Sequence, residues 1–94
     1  MKKKLPKLLW DNWNTKHIVR HGVTTYEVEK AVKDKNAVYL EGKVGRQLLL
    51  GRFKKRLLAV VVNKDNKANS MYVVTARDMD KKERATYRKE ESDD

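Results

Sequence analysis

The fold of this chain is decided by residues 71–78, which read MYVVTARD. β-Branched and aromatic side chains dominate this stretch, as is typical of a strand buried in a sheet. The residues after it are highly charged, and Asp80 stands three positions before Glu83, which is the spacing of a helix N-cap and its partner. We therefore predict a strand that ends at Arg77 and is followed at once by a C-terminal helix reaching about Lys89.

Three more strands are predicted upstream, where apolar stretches alternate with short turns rich in Gly, Lys or Asn. The four predicted strands cover residues 37–41, 46–53, 56–63 and 70–77. The short connections favour antiparallel pairing of neighbours along the chain.

Two helices are predicted before the strands. Asp11 is a suitable N-cap for a helix over residues 12–20, and Thr24 with Glu27 forms a capping box for a second helix that ends near residue 35. We expect an α+β fold with two N-terminal helices, a four-stranded, mainly antiparallel sheet and a C-terminal helix, all helices lying on one face. The predicted organisation is a basic lead at 1–7, one domain at 8–89 and an acidic tail at 90–94.

Positive charge is concentrated ahead of the last helix. Residues 1–77 hold 18 Lys and Arg against six Asp and Glu, a net charge of +12, and residues 78–94 hold five against seven, a net charge of −2. So basic a region favours polyanionic partners. We expect nucleic acid first, an acidic protein second and an anionic membrane surface third.

Several classes of site and location are disfavoured by composition. The chain contains no cysteine, which excludes disulfides, thiol nucleophiles and thiolate metal sites. Its apolar runs are far shorter than the roughly 18 residues of a membrane span, and Trp10-Asp11 interrupts any signal sequence. We expect a cytoplasmic protein with no membrane partner.

The strand ending at Arg77 meets the last helix in a group of cationic and aromatic side chains. Arg84, Tyr87 and Arg88 follow on the helix, and a suitable strand register would bring Arg52 or Arg46 beside Arg77. RNA cleavage without a metal requires removal of a 2′-hydroxyl proton and stabilisation of a charged phosphorane, and arginine holds two phosphate oxygens at once. Carboxylates available as a base are Glu83 and Glu41, although Glu83 also fits a capping role.

Other residues have both a structural and a functional interpretation. His17 and His21 have the spacing of two metal ligands on a helix, but a third ligand is missing from the pattern, so we predict no metal or other cofactor. His21 at a helix end could instead contact phosphate or transfer a proton.

Trp10 and Trp13 could stack on bases, but helical spacing favours core packing. The turn Lys54-Lys55-Arg56 is either a solvated hairpin tip or an RNA contact.

Taken together, the motifs resemble the BrnT-like toxin family over about residues 8–88. The matching residues are Trp10-Asp11, His17-Ile18, Arg20-His21-Gly22-Val23, Val28-Glu29, Gly51-Arg52, residues 73–79, Glu83-Arg84 and Tyr87. The resemblance implies a RelE-like fold and a metal-independent endoribonuclease of the mRNA interferase type. It also implies a cognate antitoxin that inhibits the enzyme and through which any oligomer would form.

The resemblance implies functional residues as well. It points to Arg52, Arg77, Arg84 and Tyr87, with His21 as an optional acid, for the cleavage of mRNA. Basic residues expected to hold the RNA are Arg46, Lys54, Lys55, Arg56 and Arg88.

Two alternatives remain open at this stage. Arg20 replaces the Lys that many family members carry before His-Gly, and Thr25 displaces the aromatic Tyr26, so the chain could bind nucleic acid without cutting it. It could also be a regulatory protein whose basic face docks an acidic partner. A further hypothesis is that the tail at 90–94 folds over the basic face and competes with RNA, rather than only aiding solubility.

Overall fold

A computed structural model describes residues 6–65 and 67–92. In this part of the chain the elements are β1 (Lys7–Leu9), α1 (Asn12–Val19), α2 (Thr25–Ala31), β2 (Val38–Glu41), β3 (Arg46–Phe53), β4 (Arg56–Asp65), β5 (Ser70–Asp78) and α3 (Lys81–Ser92). The α+β class is confirmed.

The strands form one mixed sheet in the order β1-β5-β4-β3-β2. The meander from β2 to β5 is antiparallel as predicted, but β1 adds a fifth strand that runs parallel to β5. The prediction of four strands was therefore wrong. The lead at 1–7 overlaps β1 at Lys7, and its first five residues lie outside the described chain.

The helices cover both faces of the sheet, so the prediction of one covered face was also wrong. Ile18 of α1 and Val28 of α2 pack with Leu49 and Leu58 in the larger core. The alternate residues of the strands face the other way. There Leu50 and Ala59 pack with Met79 and Tyr87 in a smaller core beneath α3.

A bulge in β5 changes which residues share a face. Val61 pairs with Thr75, but Val62 pairs with Val73, so Val74 is an extra residue in β5. Val73 is consequently buried in the larger core with Ala76. Simple alternation along β5 would put Val73 on the same face as Arg77, and the bulge moves it to the opposite face.

The predicted helix starts are confirmed by their capping hydrogen bonds. Asp11 caps α1 in a capping box completed by Asn14, and Thr24 with Glu27 caps α2. The ends were less accurate, because α2 stops at Ala31 instead of residue 35. α3 continues to Ser92, so the described part of the predicted acidic tail is helical.

α2 lies unusually close to β3 at one glycine. A Cβ atom added to Gly51 would stand 2.2 Å from the carbonyl oxygen of Ala31. Only glycine therefore allows this approach, which places Arg52 just beyond the end of α2. No helix in the described part of the chain is long and apolar enough to cross a membrane.

Candidate nucleic-acid interface

Arg77 and Glu83 form a two-point ion pair between the end of β5 and the first turn of α3. Nη1 and Nη2 of Arg77 donate to the two carboxylate oxygens of Glu83 at 2.7 and 2.9 Å. Glu83 Oε1 also accepts from the backbone N–H of Asp80 at 2.8 Å, which completes the cap of α3. The bond from Arg77 lowers the pKa of Glu83 against the opposing effect of burial. Glu83 is therefore ionised at neutral pH and is a weak proton acceptor.

Arg52 is held by the other end of α3. Its Nη2 lies 2.9 Å from Oε2 of Glu91, and its guanidinium carbon lies 5.7 Å from the ring centre of Tyr87. Its Nε is buried and has no hydrogen-bond partner within the described residues. Arg52 is thus fixed in place while one of its donors is unused.

Tyr87 is completely buried, and its hydroxyl donates to the carboxylate of Asp34. Asp34 also accepts from the backbone N–H groups of Arg52 at 2.9 Å and Asn36 at 3.0 Å. Burial, followed by the bond to Asp34, raises the pKa of Tyr87 to about 12. In this arrangement Tyr87 keeps its proton at neutral pH and anchors α3 to the rest of the fold.

Three contacts thus share one side of α3. Glu83, Tyr87 and Glu91 are spaced four residues apart, which places them on the same helix face. Strand pairing puts Arg52 opposite Leu57 and Arg77 opposite Ala59, so both arginines lie on the sheet face that α3 covers. Two further predicted arginines, Arg84 and Arg88, lie on α3 itself, and both are exposed. Nη1 of Arg84 donates to the carbonyl oxygen of Met79 at 2.8 Å.

Arg56 connects several elements at the same end of the sheet. Its guanidinium binds Asp78 at 2.9 Å, Glu27 at 3.0 Å and the carbonyl oxygen of Gly22 at 2.8 Å. Because its charge is already paired twice, Arg56 has a clear structural role. Its neighbours Lys54 and Lys55 are exposed at the hairpin tip, as an RNA contact would require.

The structure separates two of the predicted site residues from Arg77. Arg46 pairs with Asn63 at the opposite end of β3 from Arg52, so the suggested approach of Arg46 to Arg77 does not occur. His21 follows α1, which packs on the other face of the sheet. Its ring centre lies 5.5 Å from that of His17.

The two tryptophans have different environments. Trp10 is partly buried and donates its indole N–H to Glu29 at 2.8 Å. Trp13 is 58% exposed, so the expectation that it joins the core was wrong. It stacks on His17 with ring centres 4.8 Å apart and planes inclined by 8°. The spacing of these rings was visible in the sequence, but the orientation of α1 was not.

Sequence reasoning also missed three residues that organise this region. Asp34 and Glu91 hold Tyr87 and Arg52, and neither belongs to a local motif that reveals those distant partners. Buried Asn14 donates to the carbonyl oxygens of Leu9 and Val73, both at 3.0 Å. Asn14 thereby joins α1 to β1 and β5, and its position three residues after Asp11 was the only sign of a structural role in the sequence.

No group of three or more metal-ligating side chains is present in residues 6–65 and 67–92. No known protein family matches the chain, and a comparison with curated proteins also finds no match. The resemblance to BrnT-like toxins therefore stays a prediction from motifs.

Proposed function

We propose that this protein is the toxin of a type II toxin–antitoxin pair, with a RelE-like fold and metal-independent endoribonuclease activity on mRNA. The observation that carries the proposal is the placement of Arg52 and Arg77 on one sheet face, covered by the helix that carries the exposed Arg84. A rigid sheet fixes the two guanidinium groups, and fixed positive charge is the main requirement for stabilising a phosphorane.

The proposed reaction is attack of an RNA 2′-hydroxyl on the adjacent phosphorus. The P–O5′ bond breaks, the proton of the 2′-hydroxyl passes to solvent water, and water protonates the departing O5′, so the products are a 2′,3′-cyclic phosphate and a 5′-hydroxyl. Arg77 and Arg52 would hold the non-bridging oxygens, and Arg84 would position the strand. Because Glu83 is a weak base and Tyr87 retains its proton, the proposed catalysis rests on charge stabilisation and alignment.

In the free protein, RNA has to compete with the carboxylates of α3. Each guanidinium has five N–H donors, so Glu83 leaves some of the donors of Arg77 available. The buried Nε of Arg52 and the buried hydroxyl of Thr75 lie on this face without partners in the described chain. Unpaired buried polar groups are uncommon in folded proteins, but neither atom is open to solvent, so a phosphate would first contact the outward donors of Arg77, whose side chain is 37% exposed.

An antitoxin partner has support from the same sheet face. The half-buried residues Val38, Leu48 and Val61 continue the apolar surface beyond Leu50, and Leu40 on the edge strand is 36% exposed. A partly uncovered apolar strip beside arginines would suit a partner with both apolar and acidic side chains.

The experiment is cleavage of single-stranded RNA in EDTA by the wild type, Arg77→Ala and Lys64→Ala. Lys64 is an exposed residue of β4 and provides a control for the loss of one positive charge. We expect cleavage by the wild type and the control, and a loss of roughly 100-fold or more in Arg77→Ala. Thermal melts would establish that all three proteins are folded.

A non-catalytic nucleic-acid-binding module is the second candidate. The ion pairs of Arg52 with Glu91 and of Arg77 with Glu83 favour it, because an arginine already paired with a carboxylate stabilises the negative charge of a phosphorane less strongly. RNA binding by both wild type and Arg77→Ala without any cleavage would establish this alternative. Lack of RNA affinity even at low salt would favour a regulatory protein that docks an acidic partner.

A further inference from the structure

The exposed face of α1 carries an aromatic stack that the proposed cleavage site does not use. Trp13 stacks nearly parallel on His17, with 4.8 Å between ring centres, and His17 meets His21 edge to face at 5.5 Å. Ile18 and Asn14 are fully buried on the opposite side of the helix. The rings therefore form a row along the solvent side of α1.

Trp13 is unusually exposed for its type. Its exposure of 58% leaves more than half of a large aromatic surface in contact with water. A large exposed apolar surface is informative, whereas isolated small ones are common on folded proteins. The stacking on His17 holds the indole in a defined orientation without burying it.

Two cations lie beside the rings. Trp13, Lys16, His17 and Arg20 line a shallow pocket of about 330 Å³. Lys16 and Arg20 are four residues apart, so they form a charged row next to the aromatic row. The pocket thus combines a flat ring with two positive charges, which is the chemistry that binds an unpaired base and its phosphate.

These cations differ from the arginines of the sheet. Arg52, Arg56 and Arg77 all form ion pairs, whereas Lys16 and Arg20 form none with the described residues. The carboxylates of neighbouring segments have other partners: Asp11 binds Tyr72, Glu27 binds Arg56, and Glu29 binds Trp10. Positive charge at the α1 pocket is therefore available to a ligand without first displacing a carboxylate.

We propose that Trp13, Lys16, His17 and Arg20 form a stacking subsite for single-stranded RNA. One unpaired base lies against the indole ring, and Lys16 and Arg20 bind the adjacent phosphate. The subsite is separate from Arg52 and Arg77, because α1 and α3 pack on opposite faces of the sheet. This inference rests on RNA as the ligand of the proposed function, but it does not require cleavage.

A binding experiment with an uncleavable ligand tests the subsite. The probe is a labelled 2′-O-methyl oligoadenylate of roughly ten nucleotides, which spans a typical single-strand site, and the readout is fluorescence anisotropy. The proteins are the wild type, Trp13→Ala, Trp13→Phe, Lys16→Ala and Val19→Ala. Val19 is an equally exposed apolar residue of α1, with 60% exposure, and is the matched control.

We expect Trp13→Ala to weaken binding by roughly 10-fold to 100-fold. Trp13→Phe should restore most of the affinity because a phenyl ring also stacks, and Val19→Ala should bind like the wild type. Lys16→Ala should reduce the slope of log affinity against log salt by about one. All variants should keep the melting temperature of the wild type, since Trp13 lies outside the core.

Three results would overturn the subsite. Trp13→Ala could bind the oligonucleotide as tightly as the wild type, Trp13→Phe could lose as much affinity as Trp13→Ala, or the wild type could fail to bind. Equal binding of a poly-glutamate peptide and the oligonucleotide, independent of Trp13, would identify an acidic-protein surface instead. Trp13-dependent binding without RNA cleavage would contradict the proposed function alone. Cleavage of RNA, together with RNA binding that does not depend on Trp13, would contradict the subsite alone.

Discussion

The guanidinium of Arg77 forms two hydrogen bonds to the carboxylate of Glu83 and so joins the end of β5 to the first turn of α3. The same carboxylate caps α3 through the backbone N–H of Asp80. One acidic residue therefore both starts the helix and neutralises the arginine on which the proposed site depends. Stability and RNA binding are coupled at this position.

The lowered pKa of Glu83 predicts a loss of stability in acid. The bond from Arg77 lowers this pKa in the folded protein, so the unfolded chain binds more protons as the pH approaches the ordinary Glu value of about 4.3. The contribution is complete above that value and disappears as the pH falls through the lower folded pKa.

Urea unfolding between about pH 6 and pH 3 measures this effect, the window lying around the ordinary Glu pKa. We expect the free energy of unfolding to fall less steeply in Glu83→Gln than in the wild type. Some slope should remain, because the backbone N–H of Asn14 lowers the pKa of Asp11 as well. An equally steep fall in both proteins would show that the ion pair adds nothing to acid stability.

The contact between Glu91 and Arg52 predicts that the acidic end of the chain weakens RNA binding. Glu91→Gln removes the charged partner of Arg52, and RNA affinity at low salt should rise several-fold. Glu90→Gln makes the same change in net charge at an exposed position next to it and is the matched control. An equal rise in both variants would mean that net charge alone, and not release of Arg52, determines affinity.

The close approach of α2 to β3 predicts that Gly51→Ala is destabilising. The new methyl group would overlap the backbone carbonyl of Ala31, and we expect a loss of about 1–3 kcal/mol in chemical denaturation. Adding Ala31→Gly should not restore stability, because the overlap is with backbone atoms. Wild-type stability in Gly51→Ala would contradict the packing of α2 described above.

Local hydrogen bonds explain why the helix starts could be predicted. Asp11, Thr24 and Asp80 each meet a partner three residues later, so the signal lies within one helical turn. In contrast, β1 has three residues and pairs with residues 70–72, more than 60 positions away. Neither its length nor its partner is visible in a local pattern.

The candidate site was harder to predict for the same reason. The partners of Arg52 and Tyr87 are 39 and 53 positions away in the chain. The bulge at Val74 also breaks the alternation that assigns residues to faces. The residue types predicted a site that binds phosphate. Which cations are paired and which are exposed depends on the strand register and on the sheet face that α3 covers.

The most direct measurement compares an RNA oligonucleotide with its 2′-O-methyl counterpart in EDTA, incubated with the wild type and Arg77→Ala. We predict that the wild type binds both but cuts only the RNA, leaving 2′,3′-cyclic phosphate ends, and that Arg77→Ala cuts the RNA roughly 100-fold or more slowly. Uncut RNA that is nevertheless bound by the wild type, or cleavage of the 2′-O-methyl strand, would contradict this prediction.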